Sequence, residues 1–357
     1  MKLFKKWLNR VFIDGLSGMA LGLFSTLIIG TIIKQIGSYV GKVNGDAGEM
    51  IVFIGAVACA CTCAGIGVGV AAKYKESPLV MISAAVCGMI GGYASKILAG
   101  TVISGSVTTL AGPGEPLGAF VAAYAGIEIG HLVAGKTKVD IIVTPICTIA
   151  TGSVVGFLVS PPIVKIMTWI GNIINESTKQ QPVLMGILVA ILMGMALTLP
   201  ISSAAIGLSL GLNGVAAGAA VIGCSCQMVG FAVASYKENK TGGLIAQGIG
   251  TSMLQIPNIF KKPMVWLPPI ITSAILGPIA TALLKLECNA SGSGMGTSGL
   301  VGPLMTWEVM SPNMSDKLLL LEIAVMFFIA PAVICHFITV GFRKAGWIKD
   351  GDLAIKM

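Results

Sequence analysis

The 357-residue chain is 55% hydrophobic and only 11% charged, with a mean hydropathy of +0.91. A soluble domain carries about 25% charged residues, so this chain cannot clothe a water-facing surface and reads as an integral membrane protein. Its net charge of +8 does not point to nucleic acid, because the Lys and Arg residues fall in short clusters between apolar runs, where they anchor and orient helices.

A helix needs about 20 apolar residues to cross a bilayer. On that rule ten spans follow in chain order: 15–33, 51–72, 78–94, 117–134, 141–164, 183–208, 215–234, 242–256, 264–284 and 318–342. Lys2, Lys5, Lys6 and Arg10 precede the first run, which lacks a small-residue cleavage site, so no cleavable signal peptide is expected. Three stretches depart from simple hairpins. Residues 97–116 are apolar but broken by Gly112-Pro113-Gly114-Glu115-Pro116, residues 290–302 are Gly-rich, and residues 166–174 are a short amphipathic piece expected at the interface. Broken backbone in apolar surroundings must be lined by protein or a wet cavity. The segments 97–116 and 290–302 are therefore expected to be paired re-entrant hairpins, one in each half, meeting near the bilayer midplane.

Two pairs of matching segments suggest those halves. Cys61-Thr62-Cys63, an apolar run and Tyr74-Lys75-Glu76 return as Cys224-Ser225-Cys226, an apolar run and Tyr236-Lys237-Glu238. Gly18-Met19-Ala20-Leu21 returns as Gly194-Met195-Ala196-Leu197. The expected fold is an all-α polytopic membrane protein of about ten helices in two repeats, 1–180 and 181–357. The basic residues favour both termini in the cytoplasm. Five spans per repeat is an odd number, so the repeats should be inverted, with the two Tyr-Lys-Glu turns on opposite faces.

Few polar residues lie at membrane depth, and those that do are costly unless used. Glu115, between Gly114 and Pro116, sits in an irregular turn that would present a carboxylate to hydroxyls of a polyol; the alternative is a tight turn whose Glu115 faces water. Glu128 and His131 are three apart and share a helix face, suited either to solute binding and proton exchange or to pairing with neighbouring helices. Asn44 opens the second span beside Asp46, where a capping role is expected for the acid. Gln227, Asn258 and Ser298 are further polar candidates in the second half. Leu199-Pro200-Ile201-Ser202-Ser203 breaks the sixth span. Eight of the nine cysteines lie inside apolar runs, and Cys-x-Cys lacks a companion ligand, so packing is expected and neither metal nor cofactor. No nucleophile elbow, phosphate loop or metalloprotease motif is present.

Gly112-Pro113-Gly114-Glu115-Pro116-Leu117-Gly118, Gly126-Ile127-Glu128-Ile129-Gly130-His131, Tyr236-Lys237-Glu238-Asn239 and Gly294-Met295-Gly296-Thr297-Ser298-Gly299 resemble the phosphotransferase-system EIIC-like membrane family that includes the perfringolysin O regulator PfoR. The resemblance runs from about residue 14 to 342. It implies a bacterial inner-membrane protein, a sugar permease subunit or a regulator, assembled as a homodimer. A Glu and a His contact sugar in the wider class; Glu115, Glu128 and His131 match those roles by chemistry. No attached EIIA or EIIB domain is seen, so either these are separate proteins or phosphorylation-coupled transport is absent. A membrane sensor of a small polar solute, and a proton-coupled transporter, are the competing readings.

Overall fold

The computed structural model describes residue 7 and residues 9–41, 43–104, 107–108, 110, 114–201 and 203–355. The expectations placed on Lys2, Lys5, Lys6, Gly112, Pro113 and Ser202 lie outside them. The described residues are helical apart from irregular turns and one short ladder, in which Ile103 pairs with Thr108 and Ser104 with Val107. The chain forms two compact units that divide at Ile166 and Met167, whereas the sequence places the division at 180/181.

The first unit holds α1 (Arg10–Gly41), α2 (Gly45–Ala60), α3 (Thr62–Lys73) and α4 (Pro78–Leu98). After β1 (Ile103–Ser104) and β2 (Val107–Thr108) come α5 (Pro116–Val133) and the first part of α6 (Asp140–Thr178). In α1, Gly18 lies against Gly69, Gly22 against Gly65, Gly30 against Gly55 and Gly37 against Gly48. A Cβ at any of these α1 glycines would strike backbone of the facing helix. Lipid gives no hydrophobic drive for helices to associate, so such close backbone contact supplies the packing. The α2–α3 pair bends by 51° at Cys61. On the other side, the Ser160 hydroxyl of α6 donates to the Gly91 carbonyl of α4 over 2.6 Å.

The second unit adds α7 (Pro182–Thr198), α8 (Ser203–Ser209), α9 (Gly214–Ala234), α10 (Tyr236–Ile245) and α11 (Ile256–Lys261). Next come α12 (Pro263–Leu283), α13 (Ala290–Ser293), α14 (Val301–Met310) and α15 (Asp316–Lys344). Helix α9 is almost wholly buried, with α7, α12 and α15 packed around it.

Among the described residues, seven helices are long and apolar enough to cross a bilayer, or eight if the bent α2–α3 pair is one span. Besides the bent run 51–72, the ten runs read from the sequence include two that are not continuous helices. Run 183–208 stops at Thr198, where Leu199 turns extended before Pro200. Run 242–256 is broken repeatedly. Lys240 has φ +53°, residues 246–250 form a π turn and Thr251 is fully extended. Gly242, Gly243, Gly248 and Gly250 weaken helix here. Both ends of this stretch meet the C-terminal tail: Lys237 pairs with Asp350, and Lys262 with Asp352. The stretch therefore turns back on one side instead of spanning.

The first sequence match is structural. Helices α3 and α9 each end at a Tyr-Lys-Glu, and each packs antiparallel to a later helix that begins at or near proline. Gly67 meets Ala84 and Gly88 meets Cys63 in one unit; Ser273 bonds the Gly223 carbonyl and Gly230 meets Pro269 in the other. The second match is not structural. Gly18 and Gly22 run antiparallel along α3, but Gly194 meets Gly223 and Thr198 bonds Gln227, so α7 runs parallel to α9. The cause is α8, which carries the chain back before α9 starts.

Candidate functional site

Helix α5 starts with Pro116 at its first turn, where the missing N–H costs nothing. Glu115 is the residue before it, and its own N–H donates to the Gly92 carbonyl over 2.8 Å. Gly114 has φ +70° and approaches the Cys63 sulfur and the Tyr93 ring, so a side chain there would be both strained and blocked. These contacts fix the Glu115 backbone. Its Oε1 atom is buried without a hydrogen-bond partner among the described residues. It lies at a helix N-terminus, which favours negative charge, and this oxygen keeps its acceptor capacity. Lys96 stands 5.6 Å from the centre of the Tyr93 ring nearby.

Glu128 and His131 lie toward the other end of α5. Thirteen residues at 1.5 Å rise separate Glu115 from Glu128 by about 20 Å, so the structure does not bring the three together. Instead Arg10 Nε donates to Glu128 Oε1 over 2.6 Å, and its Nη2 to Glu76 Oε1 over 3.2 Å. Glu76 Oε2 lies 2.9 Å from His131 Nδ1. The Arg10 guanidinium rests 4.1 Å above the Tyr74 ring, and the Tyr74 hydroxyl donates to the Arg10 carbonyl. The Glu76 side chain is only 4% exposed while His131 is 58% exposed. Sequence reasoning passed over Arg10 and Glu76 as partners. The available signal was that the chain has two arginines, Arg10 and Arg343. Arg343 binds Glu238 of the second Tyr-Lys-Glu through Nη2, 2.7 Å from Oε1 and 3.0 Å from Oε2. Each arginine thus clasps the glutamate of one repeat motif.

In the second unit, Gln227 Oε1 accepts from Trp266 Nε1 over 2.9 Å and from the Thr198 hydroxyl over 3.2 Å. The Thr198 and Ser252 hydroxyls are 2.8 Å apart. Gln227 Nε2 is buried without a partner among the described residues, as are the hydroxyls of Ser298 and Thr306. Ser298 belongs to the Gly-rich stretch, which is mostly buried: Gly296, at φ +52°, sits on Cys224 and Ser225, and Thr297 contacts Met228. The structure thus brings Ser298 to the same stretch of α9 as Gln227. In each unit a left-handed glycine of the broken segment rests on the Cys-x-Cys element, Gly114 on Cys63 and Gly296 on Cys224. Ser203 donates to the Gly294 carbonyl over 2.6 Å and ties α8 to this stretch.

Asn44 lies apart from both clusters. It is exposed and caps α2, its side chain accepting from Ala47 N–H over 3.3 Å. The cap is thus Asn44, with Asp46 in the favourable first turn. Among the described residues no group of three or more His, Cys, Asp or Glu is placed to hold a metal ion. The buried Cys63 and Cys224 pack against helix backbone and glycines.

No curated protein matches the chain. A sequence model of the family described as phosphotransferase system, EIIC, matches residues 13–355, and the chain, a multi-pass membrane protein, belongs to that family.

Proposed function

We propose that the chain is a permease subunit that passes a sugar-like, hydroxyl-bearing solute through the membrane, with Glu115 accepting its hydroxyls. The observation that carries this is the buried Oε1 of Glu115, which has no partner among the described residues and is held at a helix start beside Gly114. A buried polar atom without a partner is costly, and a solute hydroxyl would satisfy it. Gln227 Nε2 and the Ser298 hydroxyl offer donors of the same kind in the second unit. In this reading the broken segments around Glu115 and around Ser298 are re-entrant, one in each unit. Glu128 and His131 belong to the Arg10 clasp, away from the solute. Separate EIIA and EIIB proteins are the partners, and a homodimer in a bacterial cell membrane is the assembly.

The topology within this proposal is eight spans: α1, the α2–α3 pair, α4, α5, α6, α9, α12 and α15. An even number keeps both termini in the cytoplasm. It also puts both Tyr-Lys-Glu turns there, because α3 and α9 then cross in the same direction. The charges support it. The inner segments now hold Lys2, Lys5, Lys6, Arg10, Lys73, Lys75, Lys136, Lys138, Lys237, Lys240, Lys261, Lys262, Arg343, Lys344, Lys349 and Lys356. The outer ones keep Lys34, Lys42, Lys96, Lys165, Lys179, Lys285 and Lys317. This is a stronger inward bias than the ten-span reading gives, and it replaces inverted repeats by repeats of one orientation.

Uptake of labelled hexoses and hexitols by purified protein in liposomes, with and without a proton gradient, tests the function. Saturable uptake of at least one polyol is expected. Binding without uptake would favour the solute-sensing regulator, and neither binding nor uptake by folded protein would overturn the solute reading.

A further inference from the structure

Among the described residues the C-terminal tail has no helix or strand of its own, yet residues 350–355 are each bonded to one stretch, 236–262. The Leu353 carbonyl accepts from Asn239 Nδ2 over 2.9 Å and from Gln255 Nε2 over 3.0 Å. The Ala354 carbonyl accepts from Asn258 Nδ2 over 3.0 Å, and Ile355 N–H donates to Asn239 Oδ1 over 2.8 Å. Asp350 pairs with Lys237 and Arg343, and Asp352 with Lys262. Two apolar side chains, Ile348 and Leu353, are buried beside Phe231, Ile259, Val265 and Cys335.

The stretch needs this support because it is broken. A continuous helix satisfies its own backbone and leaves its side chains optional. Here Gln247, Gln255 and Asn258 are buried amides linked in series. Gln247 donates to the Ser235 hydroxyl, Gln255 to Gln247, and Asn258 to Gln255. The tail carbonyls of Leu353 and Ala354 complete the series. The same stretch carries Ser252, which closes on Thr198 and through it on Gln227.

We propose that residues 348–355 form a detachable strap that holds the interrupted stretch 246–261 closed over the Gln227 cluster and releases it when it lifts. Three features make it detachable. The tail is joined to α15 through a turn at Gly346, whose φ is +75°. Its Asp350 pairs stand in water, the side chain being 69% exposed. Its buried apolar anchors are two side chains. Lifting the strap leaves Asn239, Gln255 and Asn258 without their carbonyl or N–H partners, which converts a closed stretch into a hydrated one, a two-state element of the order–disorder kind. These contacts lie within the second unit, so the strap stands whether or not Gln227 meets a solute.

Hydrogen exchange with mass spectrometry on the purified full chain tests this, against a variant ending after Gly346 and a Leu353→Asp variant. Exchange in peptides covering 244–262 should rise at least tenfold in both variants, while α9 and α12 keep their protection. A synthetic peptide of residues 347–357, added to the shortened variant, should restore the protection. Unchanged exchange over 244–262 would overturn the proposal. So would loss of protection spreading through α9 and α12, which would make the tail part of the core, and so would failure of the peptide to restore it.

Discussion

Arg343→Ala should be the most damaging single change at the tail end of the second unit. Arg343 holds Glu238, whose side chain is only 7% exposed, while Arg343 itself is 19% exposed. Removing one partner of a buried pair leaves the other charge unpaired, at a cost of roughly 3–5 kcal/mol. The same arginine also pairs with Asp350, but that side chain is 69% exposed, and water and salt screen an exposed pair so that it contributes little. Asp350→Ala is therefore the internal control. A unit of this size loses roughly 2–4 °C of Tm per kcal/mol, so Arg343→Ala should lower Tm by about 6–20 °C and Asp350→Ala by much less. Thermal unfolding of the detergent-purified protein, followed by circular dichroism, reads both. Equal shifts for the two variants would refute the view that the buried Glu238 clasp, and not the exposed bridge, secures α15.

Gly22→Ala places a methyl against the Gly65 carbonyl and should cost about 1–3 kcal/mol by overpacking, read as a lower Tm; a neutral outcome would mean that α1 and α3 are not in close contact. Thiol labelling of Ser77→Cys and Lys237→Cys, with Cys61 and Cys147 replaced by serine, should come from the cytoplasmic side for both, and labelling from opposite sides would restore inverted repeats. The strap should loosen in acid. Burial pushes Asp352 up, but the Lys262 ammonium and the Lys349 N–H outweigh it and hold the group below its ordinary 3.8; Asp350 is held low by Lys237 and then Arg343. A carboxylate with a depressed folded pKa adds stability above its unfolded value and loses it as pH falls through the folded one. Exchange protection of 349–355 should therefore hold at pH 5 and fade below about pH 3.9, with no change across that range counting against the ion pairs.

The membrane class, the apolar helices and the Cys-x-Cys…Tyr-Lys-Glu repeat were legible because they rest on local composition and short motifs. The turn at Glu115 was legible because Gly114 and Pro116 announce irregular backbone there. The failure at 242–256 has a physical cause: the run is apolar enough for a span, but its polar residues Gln247, Ser252 and Gln255 are matched to one another and to the tail, a pairing invisible to a hydropathy window. The Gly194 match misled because helix direction is set by α8, not by the matched residues. Arg10 and Glu76, 66 positions apart, meet only through the packing of α1 on α3.

The central claim is that α5 carries two separate functions at its two ends, solute contact at Glu115 and the ionic clasp at Glu128. The direct test is solute affinity by calorimetry, using a polyol found in the uptake screen, for wild type, Glu115→Gln and Glu128→Gln. A hydrogen bond to a charged group contributes about 1.5–3 kcal/mol, so Glu115→Gln should weaken binding roughly tenfold to a hundredfold with Tm unchanged. Glu128→Gln should lower Tm and leave the affinity of the folded protein as it was. Unchanged affinity in Glu115→Gln, with lost affinity in Glu128→Gln, would contradict the account and move the solute to the Arg10 end of the helix.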